Sequence, residues 1–268
     1  MCQIALSGTN FGLITFLISL VCGPIYRRVC MTSKLSRVRS GKETLENFEI
    51  FKGLPAEAVD AYSRRCVWKR FETHQPLIRY KDATRDVFFI SSGRARATHY
   101  AASGREISFR DLGAGDMFGE VSAIDAQPRS LSVVAQSEML VAMMPAPVLR
   151  ELMREHEQCA IAIMLRMTRL IRCLSERIVE FSTLGVQDRI RAELLRLARI
   201  SSPGQNTAVI FPVPTHTDIA NRISTHREAV TRELSNLCRA GLLERQNCSL
   251  IVRDVDKLSR IVSDVLGE

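Results

Sequence analysis

Between residues 67 and 142 the chain breaks into short apolar runs. Residues 67–68, 77–80, 87–90, 95–100, 106–109 and 139–142 are rich in β-branched and aromatic side chains, and turn signals stand between them at 91–93, 103–104 and 113–116. Short strands at near-regular spacing predict an all-β barrel, roll or sandwich, an architecture able to enclose one small ligand. Before them, 47–51 and 55–65 read as short amphipathic helices, with Pro55 suited to a helix start. After them the period changes to helical over 147–157 and 158–181. Ala160, Met164, Met167, Ile171, Leu174, Ile178 and Phe181 follow one another by steps of 4, 3, 4, 3, 4 and 3. That is a heptad seam and predicts a coiled-coil homodimer, with Met164, Met167, Ile171, Leu174, Ile178 and Phe181 on the seam.

The last third has another rhythm. Residues 186–200 read as a helix, 201–206 as a polar loop and 209–211 as a short strand. Thr215-His216-Thr217-Asp218 has the form of a capping box, with Asp in place of the usual Glu or Gln. Ser224-Thr225 makes a turn, and Thr225-x-x-Glu228 reads as a second cap. Val230, Leu234 and Leu237 form a buried stripe, and Gly241 stops the helix. Residues 242–246 and 249–252, joined through Asn247-Cys248, read as a hairpin wing. Two helices, a tight turn and a wing predict a winged helix-turn-helix. Arg227, Glu228, Thr231 and Arg232 then face away from the stripe. An Arg at that place can grip guanine bidentately, and Glu can accept from cytosine N4. Thr215, Thr225 and His226 complete the expected DNA-contacting set, with His226 near a phosphate.

Charge changes this picture little. The net charge of +8 permits a polyanionic partner. Residues 27–81 hold thirteen Lys/Arg against six Asp/Glu, whereas residues 185–268 hold twelve against ten. The expectation of DNA binding therefore rests on the motif. The eight cysteines include no C-x-x-C clip and read as scattered free thiols of a reducing compartment. No metal-ligand cluster, nucleophile–base pairing or P-loop stands out, so neither an enzyme nor a bound cofactor is expected.

Residues 1–26 carry no charge, and 11–22 are nearly unbroken apolar sequence followed by Arg27 and Arg28. Twelve residues are too few to span a bilayer core, and a signal peptide would need positive charge before its apolar run. Three readings of the 1–30 leader stay open: a segment outside the mature protein, whose start would then be Met31; a membrane anchor; or a disordered tail. Setting it aside, the expected domains are 43–153, 154–184 and 185–268, in a cytoplasmic protein.

The most specific segment is Phe118-Gly119-Glu120-Val121-Ser122-Ala123-Ile124-Asp125-Ala126-Gln127-Pro128-Arg129-Ser130. Gly119 lets the backbone approach a ligand, the following helix start offers free N–H groups to an anion, and Arg129 supplies a permanent planar cation. This segment closely resembles the phosphate-binding cassette of cyclic-nucleotide-binding domains, and its nine-residue step from Glu120 to Arg129 is similar to that of kinase regulatory subunits. Together with Arg227-Glu228-x-Val230-x-Arg232, it makes residues 43–268 resemble the cyclic-AMP receptor / fumarate–nitrate regulator (Crp-Fnr) superfamily, cyclic-nucleotide-binding branch.

The resemblance implies an α+β chain: an N-terminal β-roll of the jelly-roll type, a long dimerisation helix, and a C-terminal winged helix-turn-helix. It implies a ligand-switched transcription regulator, an activator among its roles, which binds a palindromic operator as a homodimer and contacts RNA polymerase. It places Gly119, Glu120, Val121, Ser122, Arg129 and Ser130 at the cyclic nucleotide, with Glu120 on the ribose 2′-hydroxyl. The family's Thr-Ser pair at the purine aligns with Leu174 and Ser175, so cyclic GMP stands beside cyclic AMP as a ligand. Lys81 stands where the family has a turn glycine, and Ser224 where many such turns have one. A redox or gas sensor of the same superfamily and a membrane-tethered regulator are the alternatives; an iron–sulphur version would need cysteines more clustered than Cys2, Cys22 and Cys30.

Overall fold

The computed structural model describes residues 43–102, 104 and 106–267. The 1–30 leader, with Cys2, Cys22 and Cys30, lies outside the described residues. The described chain divides into two compact units, one ending at Ile178 and the other beginning at Val179.

The first unit is a roll of two four-stranded antiparallel sheets. Its strands are β1 (Val67–Phe71), β2 (Pro76–Ile78), β3 (Val87–Ser92), β4 (Arg94–Tyr100), β5 (Glu106–Gly113), β6 (Met117–Phe118), β7 (Ser132–Ala135) and β8 (Met139–Met144). One sheet has the order β1-β8-β3-β6, the other β2-β7-β4-β5. A 3-10 turn (Glu49–Phe51) and helix α1 (Ala56–Ser63), whose N-cap is Pro55, precede the strands. Helix α2 (Glu120–Asp125) interrupts them, and α3 (Ala146–Glu155) and α4 (Glu157–Thr183) follow.

Strands β3 and β8 are apolar without alternation because both of their faces are covered. Phe88, Ile90, Met139 and Val141 point into the roll, where they meet Phe71, Leu112 and Val133. Val87, Phe89, Ala142 and Met144 point the other way, onto a helical layer that includes Phe48, Phe51, Tyr62, Leu149 and Ile163. Phe89 is wholly buried, with Phe48 edge-on at 5.2 Å and Phe51 tilted at 5.7 Å. Helix α4 buries Cys159 and Ile163 on this layer. Most of the predicted seam stays outside: Met164 is 57% exposed, Ile171 64% and Ile178 66%. Met167 differs, since it packs partly against the core of its own unit.

In the second unit, α5 (Val186–Ser201), α6 (His216–Arg222), α7 (Arg227–Arg239) and α8 (Val255–Leu266) surround a three-stranded sheet of order β10-β11-β9. The strands are β9 (Ala208–Ile210), β10 (Leu243–Gln246) and β11 (Ser249–Val252). Asn247, at φ +46, and Cys248 close the two-residue hairpin between β10 and β11. Ile190, Leu194, Ile219, Val230, Leu234 and Leu250 are central to the core.

Charge is buried here too. Glu193 of α5 and Glu233 of α7 are each 1% exposed. Glu193 accepts from Arg222 of α6 at 3.0 Å and is ion-paired with Arg196, which also reaches Glu180. Glu233 accepts from Arg191 of α5 at 2.7 Å, and Arg191 holds Asp188 at 2.9 Å. The network ties all three helices of the helix-turn-helix region together. Among the described residues no helix is long and apolar enough to cross a membrane.

Glu193→Ala leaves two arginines of this network facing an empty acceptor site. It is expected to cost about 3–5 kcal/mol, because removing one partner strands the other charge. Urea unfolding of the full chain followed by circular dichroism checks this; a loss under 1 kcal/mol would place the network among exposed, weakly contributing pairs.

Candidate functional site

The cassette turns on Gly119. Strand β6 ends at Phe118, and Gly119, at φ +86, is the N-cap of α2. A Cβ at this position would lie 2.8 Å from an Arg129 guanidinium nitrogen and 2.8 Å from the Asp86 carbonyl oxygen. The glycine is therefore required twice, by its left-handed backbone and by the arginine lying against it. Helix α2 is six residues long and is capped at its C-terminus by Ala126, also left-handed at φ +61. The N–H groups of Glu120, Val121 and Ser122 have no acceptor within the helix, as at any helix start.

Arg129 is only 2% exposed. Its Nε donates to Thr84 Oγ1 at 3.1 Å, one terminal nitrogen to the Gly119 carbonyl at 3.0 Å, and the other to the Asp86 carbonyl at 2.7 Å. The guanidinium also faces the Phe88 ring at 5.7 Å, and Phe88 stacks on Phe118 at 4.8 Å. Burial lowers its pKa from the ordinary arginine value, while Asp86, Asp82 and Glu120 act in the other direction. Three of five N–H donors are used, which leaves one on each terminal nitrogen for an anion.

The loop carrying Arg129 is tied down by backbone bonds. Arg129 N–H donates to Asp82 O and Lys81 N–H to Arg129 O, both at 2.9 Å. Lys81, at the family's glycine position, adopts φ +67, so the turn keeps its left-handed residue despite the side chain. Ser130 is exposed beside the buried Arg129, and Val121 is half-buried.

Glu120 is 6% exposed and has a partner that the sequence reading missed. Arg166 of α4 brings its Nε to 3.5 Å from the Glu120 carboxylate, lies 3.8 Å from Asp116, and donates to the Met117 carbonyl. Asp116 also accepts from Arg110 at 2.9 Å. The only available sequence signal was that Arg166 follows buried Ile163 by three residues and so shares its face. Leu174 and Ser175 are exposed on α4, and the Ser175 hydroxyl donates to Ile171 O in its own helix.

In the second unit the capping box forms. Asp218 N–H donates to Thr215 Oγ1 at 3.0 Å, and Thr215 N–H to Asp218 Oδ2 at 3.1 Å. The turn passes through Ser224 at φ +54, where glycine would be free of strain. The second cap is corrected by one residue: His226 is the N-cap of α7, and its side chain makes no capping bond. Thr225 is only 8% exposed, although it lines the cleft beside α7. His226, Arg227, Glu228, Thr231 and Arg232 are exposed on one side of α7. A cleft of about 630 Å3 runs along this helix, lined by Gln187, His226, Arg232, Asn236 and Arg239 among others. Its lining donors are amides, an imidazole, guanidiniums and the hydroxyls of Thr225, Thr231 and Ser235, all groups that can donate to phosphate oxygens.

Two family models match this architecture: the cyclic nucleotide-binding domain over residues 68–156 and the Crp-like helix-turn-helix domain over residues 188–261. The chain belongs to the Crp-Fnr family of transcription regulators. As a Crp-Fnr regulator it has the α+β architecture of that family, a cyclic-nucleotide-binding domain followed by a DNA-binding helix-turn-helix. It is 23% identical over 219 residues to a CRP-like cAMP-activated global transcriptional regulator of Mycobacterium tuberculosis, covering 81% of this chain and 98% of that one. It is 27% identical over 220 residues to the cyclic AMP receptor protein of Thermus thermophilus, covering 79% and 95%. Among solved structures, a CooA mutant from Carboxydothermus hydrogenoformans superposes with a TM-score of 0.67 at 19% identity, covering 75% and 89%, a likeness of fold.

Among the described residues no group of His, Cys, Asp and Glu could hold a metal ion. Burial pushes the thiols of Cys66 and Cys159 up to about 12 and about 11, so both stay protonated.

Gly119→Ala meets both a left-handed backbone and Arg129. It is expected to destabilise the chain by at least about 1–2 kcal/mol, from the backbone alone, and to displace the guanidinium. A melting temperature within error of the parent would show that the cassette has room the geometry denies.

Proposed function

We propose that the roll binds a purine cyclic nucleotide, cyclic AMP or cyclic GMP, and that occupancy shifts a dimer toward a palindromic operator. The observation that carries this reading is a buried, permanently charged Arg129 with two free N–H donors, set against the uncommitted N–H groups of a short helix. That is a cradle for one phosphate with a single negative charge. Glu120 supplies the acceptor for a ribose hydroxyl. The M. tuberculosis relative, whose name describes it as cAMP-activated, supports the same ligand class.

The selectivity of the site is set by Leu174 and Ser175. With leucine at the position of the family's threonine, one purine-reading hydroxyl is gone. Cyclic AMP and cyclic GMP should both bind, within about tenfold or about 1.4 kcal/mol of each other.

The exposed apolar seam of α4 supports association through Met164, Ile171, Leu174, Ile178 and Phe181. Two copies related by a two-fold axis present two α7 helices, which read half-sites about one helical turn, roughly 34 Å, apart. Arg227 and Glu228 read neighbouring base pairs, a G·C pair among them. The loop at 201–206 is the surface proposed for RNA polymerase. These parts make a ligand-gated regulator that works in the cytoplasm.

Calorimetric titration of the full chain with each cyclic nucleotide, with and without DNA, tests the ligand. Arg129→Ala is expected to weaken binding by about 2–5 kcal/mol, the cost of leaving the phosphate unpaired in a closed site. Because Arg129 also satisfies two carbonyls, the melting temperature is followed in parallel. A folded mutant with parental affinity overturns the site, and a hundredfold preference between the nucleotides overturns the role given to Leu174.

Arg227→Ala is expected to cost about 1–3 kcal/mol per half-site and to relax preference at one position. Uniform weakening on operator and random DNA would reassign Arg227 to the phosphate backbone.

A further inference from the structure

We infer that the DNA-contacting surface extends to Arg245 on the wing, as a contact to the DNA backbone, and that His216 is the positioning residue holding Arg245 beside the recognition helix.

The argument starts from the hydrogens of one imidazole. His216 stands at the start of α6, with Thr231 of α7 on one side and Arg245 of β10 on the other. Its Nε2 lies 2.6 Å from a terminal nitrogen of Arg245, and its Nδ1 lies 2.7 Å from Thr231 Oγ1. A guanidinium has donors only, so Nε2 must be the acceptor and the ring must be neutral. The ring hydrogen is then on Nδ1 and is donated to Thr231. The Thr231 hydroxyl hydrogen is also assigned, since Oγ1 donates to the Arg227 carbonyl at 3.0 Å. The bonds form a directed chain from the wing, through His216, to the first turn of α7. Burial, followed by the nearby Arg245 and Arg227, holds the imidazole pKa below its usual value, which favours this neutral state.

The chain places a cation that has no counter-charge. Glu244, the neighbouring carboxylate on the wing, is engaged by Arg253. Among the described residues no carboxylate forms an ion pair with Arg245, and its side chain is exposed. One of its five N–H donors goes to His216, and the others are open. The same edge carries Arg227 and Thr231, which belong to the reading surface. A fixed, planar, unneutralised cation at the border of that surface has the chemistry of a bidentate phosphate contact. His216 supplies the fixing. Without it, a long exposed arginine would lose several rotamers on binding.

The test uses the full chain on a random-sequence duplex and on an operator selected from random DNA, by fluorescence anisotropy at several salt concentrations. Because the random duplex needs no cyclic nucleotide to be defined, this proposal can fail while the ligand reading stands, and the reverse. Arg245→Gln is expected to weaken both DNAs by the same factor and to lower the slope of log K against log salt by about one. Arg245→Lys keeps the charge and is expected to keep the slope. His216→Ala should reproduce the loss, and His216→Gln should restore it, since an amide can accept from Arg245 and donate to Thr231. The double variant His216→Ala with Arg245→Gln should bind no more weakly than Arg245→Gln alone, because the two residues act as one unit.

An unchanged salt slope in Arg245→Gln overturns the backbone contact. A loss confined to one DNA sequence overturns it in favour of base reading. Additive losses in the double variant overturn the positioning role of His216. Arg245 is exposed, so its substitutions do not depend on the core, and a melting curve for each His216 variant separates misfolding from lost positioning.

Discussion

Two buried carboxylates hold the recognition helix against the helices behind it. Glu193 and Glu233 lie almost entirely out of water, and each is usable only because arginines from neighbouring helices reach it. Hydrophobic packing alone would leave α5, α6 and α7 free to slide by small amounts, since apolar contacts are not directional. Charge-assisted hydrogen bonds are directional, and they set one arrangement among the well-packed ones. The outward placement of Arg227, Glu228 and Arg232 follows from that arrangement.

The same network explains why net charge is a weak guide to what the second unit binds. Its carboxylates are not spread evenly over the surface: two are buried, and Asp188 is bonded to Arg191 of the same network. In the reading proposed above, a polyanion meets the face carrying the exposed His226, Arg227, Arg232, Arg239 and Arg245. A count over residues 185–268 averages inside with outside and loses this asymmetry.

Much of the fold is legible in the sequence because the strongest signals are local. The capping box at Thr215–Asp218 is a three-residue relation, the Gly241 stop is a single residue, and the α4 seam repeats itself. Strand β7 was missed: Ser132–Ala135 is four residues with only two inward side chains, too short for alternation to register. The cap of α7 moved from Thr225 to His226 because two adjacent residues both suit the turn, and only backbone geometry separates them. The site is less legible than the fold. Sequence rules put arginine at the surface, whereas Arg129 is closed over by Thr84 and by two carbonyls. Arg166 and Glu120 lie 46 residues apart, and His216 and Arg245 lie 29 apart. No periodicity reports a pairing at such separations. They exist only once the strands and helices have converged.

Two of the three groups that bind Arg129 are main-chain carbonyls, from Gly119 and Asp86. Side-chain replacement cannot delete a carbonyl. Side chains around the pocket can therefore be exchanged while these two anchors of the cation stay in place. Thr84 is the one side chain among the three hydrogen-bond acceptors, and a Cβ at Gly119 would lie 2.8 Å from the guanidinium. If the proposed phosphate sits at Arg129, its position is fixed mostly by main chain and so is little open to side-chain exchange.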